Sequence, residues 1–258
     1  MDYRILGPLA VYDEQRRAVQ LGGRQQRLVL AALLLHRNEV VSVDRLIDVV
    51  WGERAPTNAV KNVQVHLSRL RKALEPGGSE PKKEIVRTRA NGYVLEVTPG
   101  EVDADRFERL VDEGRRALAA ADPEQAGALL QEALALWRGP PLADFAYDSF
   151  AQGEIERLGE LRLRAVETRI DVDLALGRHD DVVPELQALV AEHRLRERFR
   201  GQLILALYRS GRKADALHVY EDARLALAEE LASSRAKACS SSTRRSSRTT
   251  RPCLRPLS

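Results

Sequence analysis

An α+β unit over residues 1–100, followed by an all-α unit over residues 101–231, is the fold class that the sequence predicts. Three observations predict it. The first hundred residues mix short β-like runs with three helical periods and finish on an Asn-Gly hairpin signal. From Asp103 onward, apolar residues recur at three- and four-residue spacing, helix after helix. Charge also reverses at this point: residues 1–100 hold 16 Lys and Arg against 11 Asp and Glu, whereas residues 101–231 hold 18 against 27. A basic front and an acidic middle imply two different partners, with a polyanion favoured for the first.

Of the 258 residues, none lies in an apolar run long enough for a membrane span. The opening "MDYRILGPLAVYDEQ" lacks the basic start and long apolar region of a secretory signal, so a soluble cytoplasmic protein is expected. Both cysteines, Cys239 and Cys253, fall in the last 27 residues, which argues against a disulfide framework or a cysteine metal site.

In the front half, "YRILG", "LAVYD" and "AVQLG" read as short strands separated by Gly-Pro and a polar "EQRR". "RQQRLVLAALLLHRN" predicts a strongly apolar helix over about residues 24–37. Ser42 is the expected N-cap of a second helix that ends at Trp51-Gly52. Thr57 or Asn58 caps the third, "NAVKNVQVHLSRLRKAL". In that helix Val60, Val63, Leu67, Leu70 and Leu74 predict one buried stripe. Its opposite side carries Lys61, Val65, Ser68, Arg69 and Lys72, with Asn62 beside them, and no acid occurs between Glu53 and Glu75. "IVRTRANGYVLEV" then predicts a hairpin turning at Asn91-Gly92, with Arg87 and Arg89 at its tip.

Three helices followed by a basic hairpin make a winged helix-turn-helix, whose helix after the turn enters the DNA major groove. Arg69 suits a bidentate contact to guanine, Asn62 a base edge, and Val65 a thymine methyl. Lys61, His66, Ser68, Arg71 and Lys72 suit phosphate, and Thr57 and Asn58 at the helix start complete the expected DNA-binding set.

"VQVHLSRLRKAL…IVRTRANGYVL" resembles the DNA-binding domain of OmpR-type response regulators. The resemblance implies that Asn62, Val65 and Arg69 face bases and that Trp51, Lys61, His66 and Arg71 approach phosphates. It also implies that Arg89 enters the minor groove. The expected departure from that family is the lack of room for a phosphoacceptor receiver domain ahead of residue 1.

In the acidic middle, aligning Gly177 with Gly211 superposes "LALGRHDDVVPELQALV" on "LALYRSGRKADALHVYEDAR" at an offset of 34, the period of tetratricopeptide helix pairs. "DPEQAGALLQEALALW" shows the same second-helix pattern at another spacing. Such stacks bind protein or peptide, or pack a neighbouring domain. "ALALWRGPPLADF", "LALGRHDDVVPEL" and "LRERFRGQLILALYRSGRKADALHVY" resemble the bacterial transcriptional activator domain. The two modules in this order resemble the SARP family, activators of actinobacterial antibiotic and secondary-metabolite clusters. The resemblance implies side-by-side homodimers on promoter direct repeats, nucleoid association while bound to DNA, and recruitment of RNA polymerase holoenzyme.

The residues argue against an enzyme. The five histidines form no i, i+4 metal pair with acids nearby, and no HExxH or GxxxxGK[ST] occurs. No cofactor is expected, and Trp51 and Trp137 read as helix-end packing. The rival reading is a winged-helix, tetratricopeptide-like adaptor that binds protein or RNA without reading DNA sequence.

After Leu231 the composition changes to "ASSRAKACSSSTRRSSRTTRPCLRPLS", with seven bases and no acid. It reads either as a disordered basic tail, adding nonspecific nucleic-acid affinity, or as the product of a frameshift. Taking the third base of each codon with the first two of the next, residues 231–236 permit Gly-Val-Glu-Pro-Gly, which resembles the usual family ending. On that reading a last helix is missing and the face it covers is exposed.

Overall fold

The computed structural model describes residues 1–74, 85–225 and 228. The expected tail, residues 232–258, lies outside them, and so does the segment between the third helix and the hairpin. The chain divides into two compact units, Met1–Val172 and a second that begins at Asp173.

In the first unit, β1 (Asp2–Arg4) pairs antiparallel with β2 (Ala10–Tyr12). The third β-like run, "AVQLG", forms only an isolated bridge between Tyr12 and Ala18, because the chain passes directly into α1 (Arg24–Leu35). Every residue of α1 from Leu28 to Leu34 is buried, which makes it the central helix of the front half. β3 (Val41–Ser42) leads into α2 (Val43–Trp51), where the Ser42 hydroxyl accepts the Arg45 amide at 3.1 Å as its sequence position implied. A 3-10 turn (Gly52–Arg54) precedes α3 (Ala59–Leu74).

β4 (Val86–Arg89) and β5 (Gly92–Leu95) form the hairpin, and β5 also pairs with β3, giving the order β3-β5-β4. Arg89 pairs with Gly92, so the two-residue turn is Ala90-Asn91 and Gly92 is already strand. Gly92 is needed for close approach rather than for the turn: a Cβ there would collide with the Val41 carbonyl of β3. The same register places Arg87 opposite Val94, mid-strand instead of at the expected tip, and leaves Arg89 beside the turn.

α4 (Asp103–Ala119) and α5 (Pro123–Ala135) pack together so closely that a Cβ on Gly114 would lie 2.9 Å from Leu130. Trp137 meets Phe107 edge-on at 5.3 Å, the packing role expected of it. A 3-10 turn (Ala143–Phe145) leads into α6 (Ser149–Ala175). Many ties cross residue 100 inside this unit. The backbone amides of Ile5 and Leu6 donate to the two oxygens of buried Asp103 at 2.7 and 3.0 Å. Arg27 and the Leu9 amide share Asp144, Arg24 holds Asp148 at 2.8 Å, Arg106 holds Asp2 at 2.8 Å, and Arg37 pairs with Asp105.

The second unit contains α7 (His179–Glu192), α8 (Glu197–Arg209) and a helix described over 213–225. Gly177 and Gly211 have φ of +79° and +78°, and their surroundings repeat bond for bond. The Gly177 and Arg178 amides donate to Leu174 and Asp173; the Gly211 and Arg212 amides donate to Tyr208 and Leu207. These are the same helix C-terminal caps, 34 positions apart. In the first unit Ala121 holds the equivalent place after α4, at φ +60°, with its amide and that of Asp122 donating to Leu118 and Ala117.

Candidate nucleic-acid interface

α3 acquires its two faces from the 3.6-residue period. Ala59, Val63, Leu67, Leu70 and Leu74 are buried against the core. Val60 is not part of that stripe as expected; it is 51% exposed, because a buried arc centred on Val63 and Leu70 takes in Ala59 instead. On the opposite side Lys61, Val65, Ser68, Arg69 and Lys72 are exposed, with Asn62 half-buried at the edge. Gln64 is exposed on the flank of the same face and was passed over in the sequence, since it carries neither charge nor apolar period. Thr57 and Asn58 are exposed just before the helix. The Asn58 carbonyl accepts the Asn62 amide, and its side-chain oxygen accepts the Asn62 side-chain NH₂ at 3.2 Å, which orients Asn62 along the helix.

Among the described residues Lys61, Arg69 and Lys72 have no carboxylate within ion-pair distance. Three exposed cations without carboxylate partners among the described residues, on one helical face, form a ready site for a polyanion. His66 sits half-buried on the flank, 6.3 Å from the Trp51 ring, with Nδ1 buried and lacking a hydrogen-bond partner. Burial, and secondarily the charge of Arg69, hold His66 below its ordinary value of 6.5, so it is neutral at neutral pH. It therefore suits a hydrogen bond to phosphate, not a fixed charge.

Arg71, expected near phosphate, also makes bonds within the protein. Its Nε donates to the Val86 carbonyl at 2.8 Å and an NH₂ donates to the Thr88 hydroxyl at 2.9 Å, which fastens α3 to β4. The side chain positions the wing beside the helix. The wing cations converge on a residue the sequence did not single out: Glu96 Oε1 accepts Arg87 at 3.1 Å and Arg89 at 3.4 Å. Glu96 belongs to the same hairpin sequence, "IVRTRANGYVLEV", but its pairing with the arginines depends on strand register and not on any local period.

Among the described residues no group of three or more His, Cys, Asp or Glu is placed to hold a metal ion. No described helix is long and apolar enough to cross a membrane.

Comparison with known proteins accords with this geometry. Residues 16–95 match the family described as "Transcriptional regulatory protein, C terminal", and residues 102–245 match "Bacterial transcriptional activator domain". The chain is 42% identical over 230 residues to the "Regulatory protein AfsR" of Streptomyces coelicolor, covering 89% of this chain and 22% of that one. It is 37% identical over 235 residues to the "Regulatory protein DnrI" of Streptomyces peucetius, covering 90% of this chain and 86% of that one. Among solved structures, one of Mycobacterium tuberculosis EmbR in complex with a low-affinity phosphopeptide superposes with a TM-score of 0.83 at 36% identity, covering 89% of this chain and 60% of that one. The winged helix, the helical module behind it and these relatives together place the chain in the SARP family of transcriptional regulators.

Proposed function

We propose that this protein is a non-enzymatic, sequence-specific DNA-binding activator of a biosynthetic gene cluster, acting in the cytoplasm as a side-by-side homodimer on promoter direct repeats. The observation that carries the reading is the α3 face on which Lys61, Arg69 and Lys72 stand exposed without carboxylate partners. Arg69, Asn62 and Val65 read bases; Lys61, His66, Ser68 and Lys72 hold the backbone, with Trp51, Thr57 and Asn58 at the helix entry. The helical module recruits RNA polymerase and contacts the neighbouring protomer. Exposed Tyr208, Leu217 and Tyr220 in the second unit support that role, since aromatic and apolar groups dominate protein interfaces.

The test is binding of the purified chain to a promoter fragment with two direct repeats against a scrambled duplex, with salt titrated. Preference for the repeats is expected. Affinity should fall about 10³-fold between about 50 and 200 mM salt if roughly six phosphates are contacted. Equal affinity for both duplexes would remove sequence reading, and absence of binding would leave the adaptor role. Transcription reconstituted with polymerase holoenzyme tests recruitment separately: DNA occupancy without added transcript would remove the activator step.

A further inference from the structure

Arg89 pairs with Gly92 next to the hairpin turn, yet its guanidinium reaches Glu96, four residues beyond Gly92 and just past the end of β5. At about 3.3 Å per residue that is roughly 13 Å from the turn. The side chain is folded back along the hairpin, away from its end. Arg87, on the same face of β4, meets the same carboxylate oxygen. Among the described residues Glu96 thus draws both wing arginines to a single point. The arginine side chains remain 34% and 48% exposed and Glu96 21%, so the cluster is open to solvent and an incoming anion reaches it. Arg71 holds the backbone of β4 in place from α3, so the side chains can swing out without moving the strand.

The geometry points to Glu96 as a phosphate mimic that stows the wing: its carboxylate occupies Arg87 and Arg89 in the free protein, and a nucleic-acid backbone phosphate displaces it on binding. The inference rests on α3 and the wing being the DNA interface. Chemically it is an exchange of one anion for another around two guanidiniums. An exposed pair of this kind is weak, so displacement is easy, but it lowers affinity for any duplex whose phosphates engage the wing. Glu96 would thereby limit nonspecific binding.

The experiment uses the full chain and a random-sequence duplex of about 30 base pairs, because the exchange is independent of base sequence. Glu96→Gln is expected to bind about three- to ten-fold more tightly than wild type at low salt. Glu96→Asp keeps the charge but loses reach, and should fall between the two. Adding Arg89→Ala to Glu96→Gln should abolish most of the gain, and thermal melting of each variant checks that the fold is intact. Unchanged or weaker binding by Glu96→Gln overturns the stowing role while leaving wild-type DNA binding in place. A gain that survives Arg89→Ala, or is absent in a well-folded Glu96→Asp, reduces the effect to net charge and also overturns it. If wild type and all variants bind no duplex, the DNA reading itself fails and the inference fails with it.

Discussion

Two sets of cations in the same compact unit meet opposite fates. Along the seam between the N-terminal strands and the start of the helical region, Arg24, Arg27, Arg37, Arg106 and Arg138 each face an aspartate. On α3, Lys61, Arg69 and Lys72 face no described carboxylate at all. Both sets are simply basic in composition, and counting charge does not separate them. Pairing separates them: a cation already matched to an aspartate ties two segments together, whereas one left exposed without a partner is available to an outside anion. Arg71, Arg87 and Arg89 are intermediate, tied within the wing yet close to the free face.

The sharpest way to break the comparison is at the seam. Asp103→Ala leaves the Ile5 and Leu6 amides buried without an acceptor and should destabilise the first unit by about 3–5 kcal/mol, measured by denaturant unfolding. Burial pushes the Asp103 carboxyl above its ordinary 3.8 despite those two amides and the nearby Arg138 and Arg106. Its linkage therefore favours the fold below the unfolded value and is lost as pH rises through the folded one. Asp2 runs oppositely: burial raises it, but bonds from Arg106 and Arg4 prevail and hold it below 3.8, so its contribution is present above that value and lost on acidification. A pH titration of stability should show the acid limb soften in Asp2→Asn.

On the free face the expected loss moves from stability to binding. Arg69→Ala should cost about 1–3 kcal/mol of affinity for the preferred repeats, with relaxed sequence preference and an unchanged melting temperature. A melting temperature that falls instead would place Arg69 among the structural cations. Arg71→Ala should do both in part, losing about 1–2 kcal/mol of stability with the bonds to Val86 and Thr88 and weakening DNA binding through a misplaced wing; unfolding and binding curves on one preparation read both.

Ala121→Gly tests the repeat geometry. A left-handed residue after α4, where Gly177 and Gly211 serve elsewhere, should gain about 1 kcal/mol from glycine, seen as a higher denaturant midpoint. The smallest effect concerns His66. Burial and then Arg69 depress its pKa, so its contribution to stability is present above 6.5 and declines as pH falls below it. Bound phosphate favours the cation, so wild type should gain DNA affinity relative to His66→Gln on mild acidification, read by anisotropy across that range.

Several features needed only local sequence. The amphipathic period of α3, the Ser42 cap, the hairpin after residue 85 and the 34-residue spacing of Gly177 and Gly211 follow from residues within a turn or a repeat of one another. Backbone hydrogen bonding and side-chain direction impose those periods before any long-range contact forms. The free face of α3 was legible for the same reason, as an acid-free arc of one helix.

Tertiary structure alone decided the rest. Asp103 meets Ile5 across 98 positions, Arg71 meets Val86 across 15, and Glu96 gathers Arg87 and Arg89 through strand register. No periodicity links such pairs; they exist because packing brings distant segments together, and only that packing shows which cations are already neutralised. Val60 teaches the same lesson in small: spacing alone admitted it to the buried stripe, and the direction from which the core approaches α3 left it exposed.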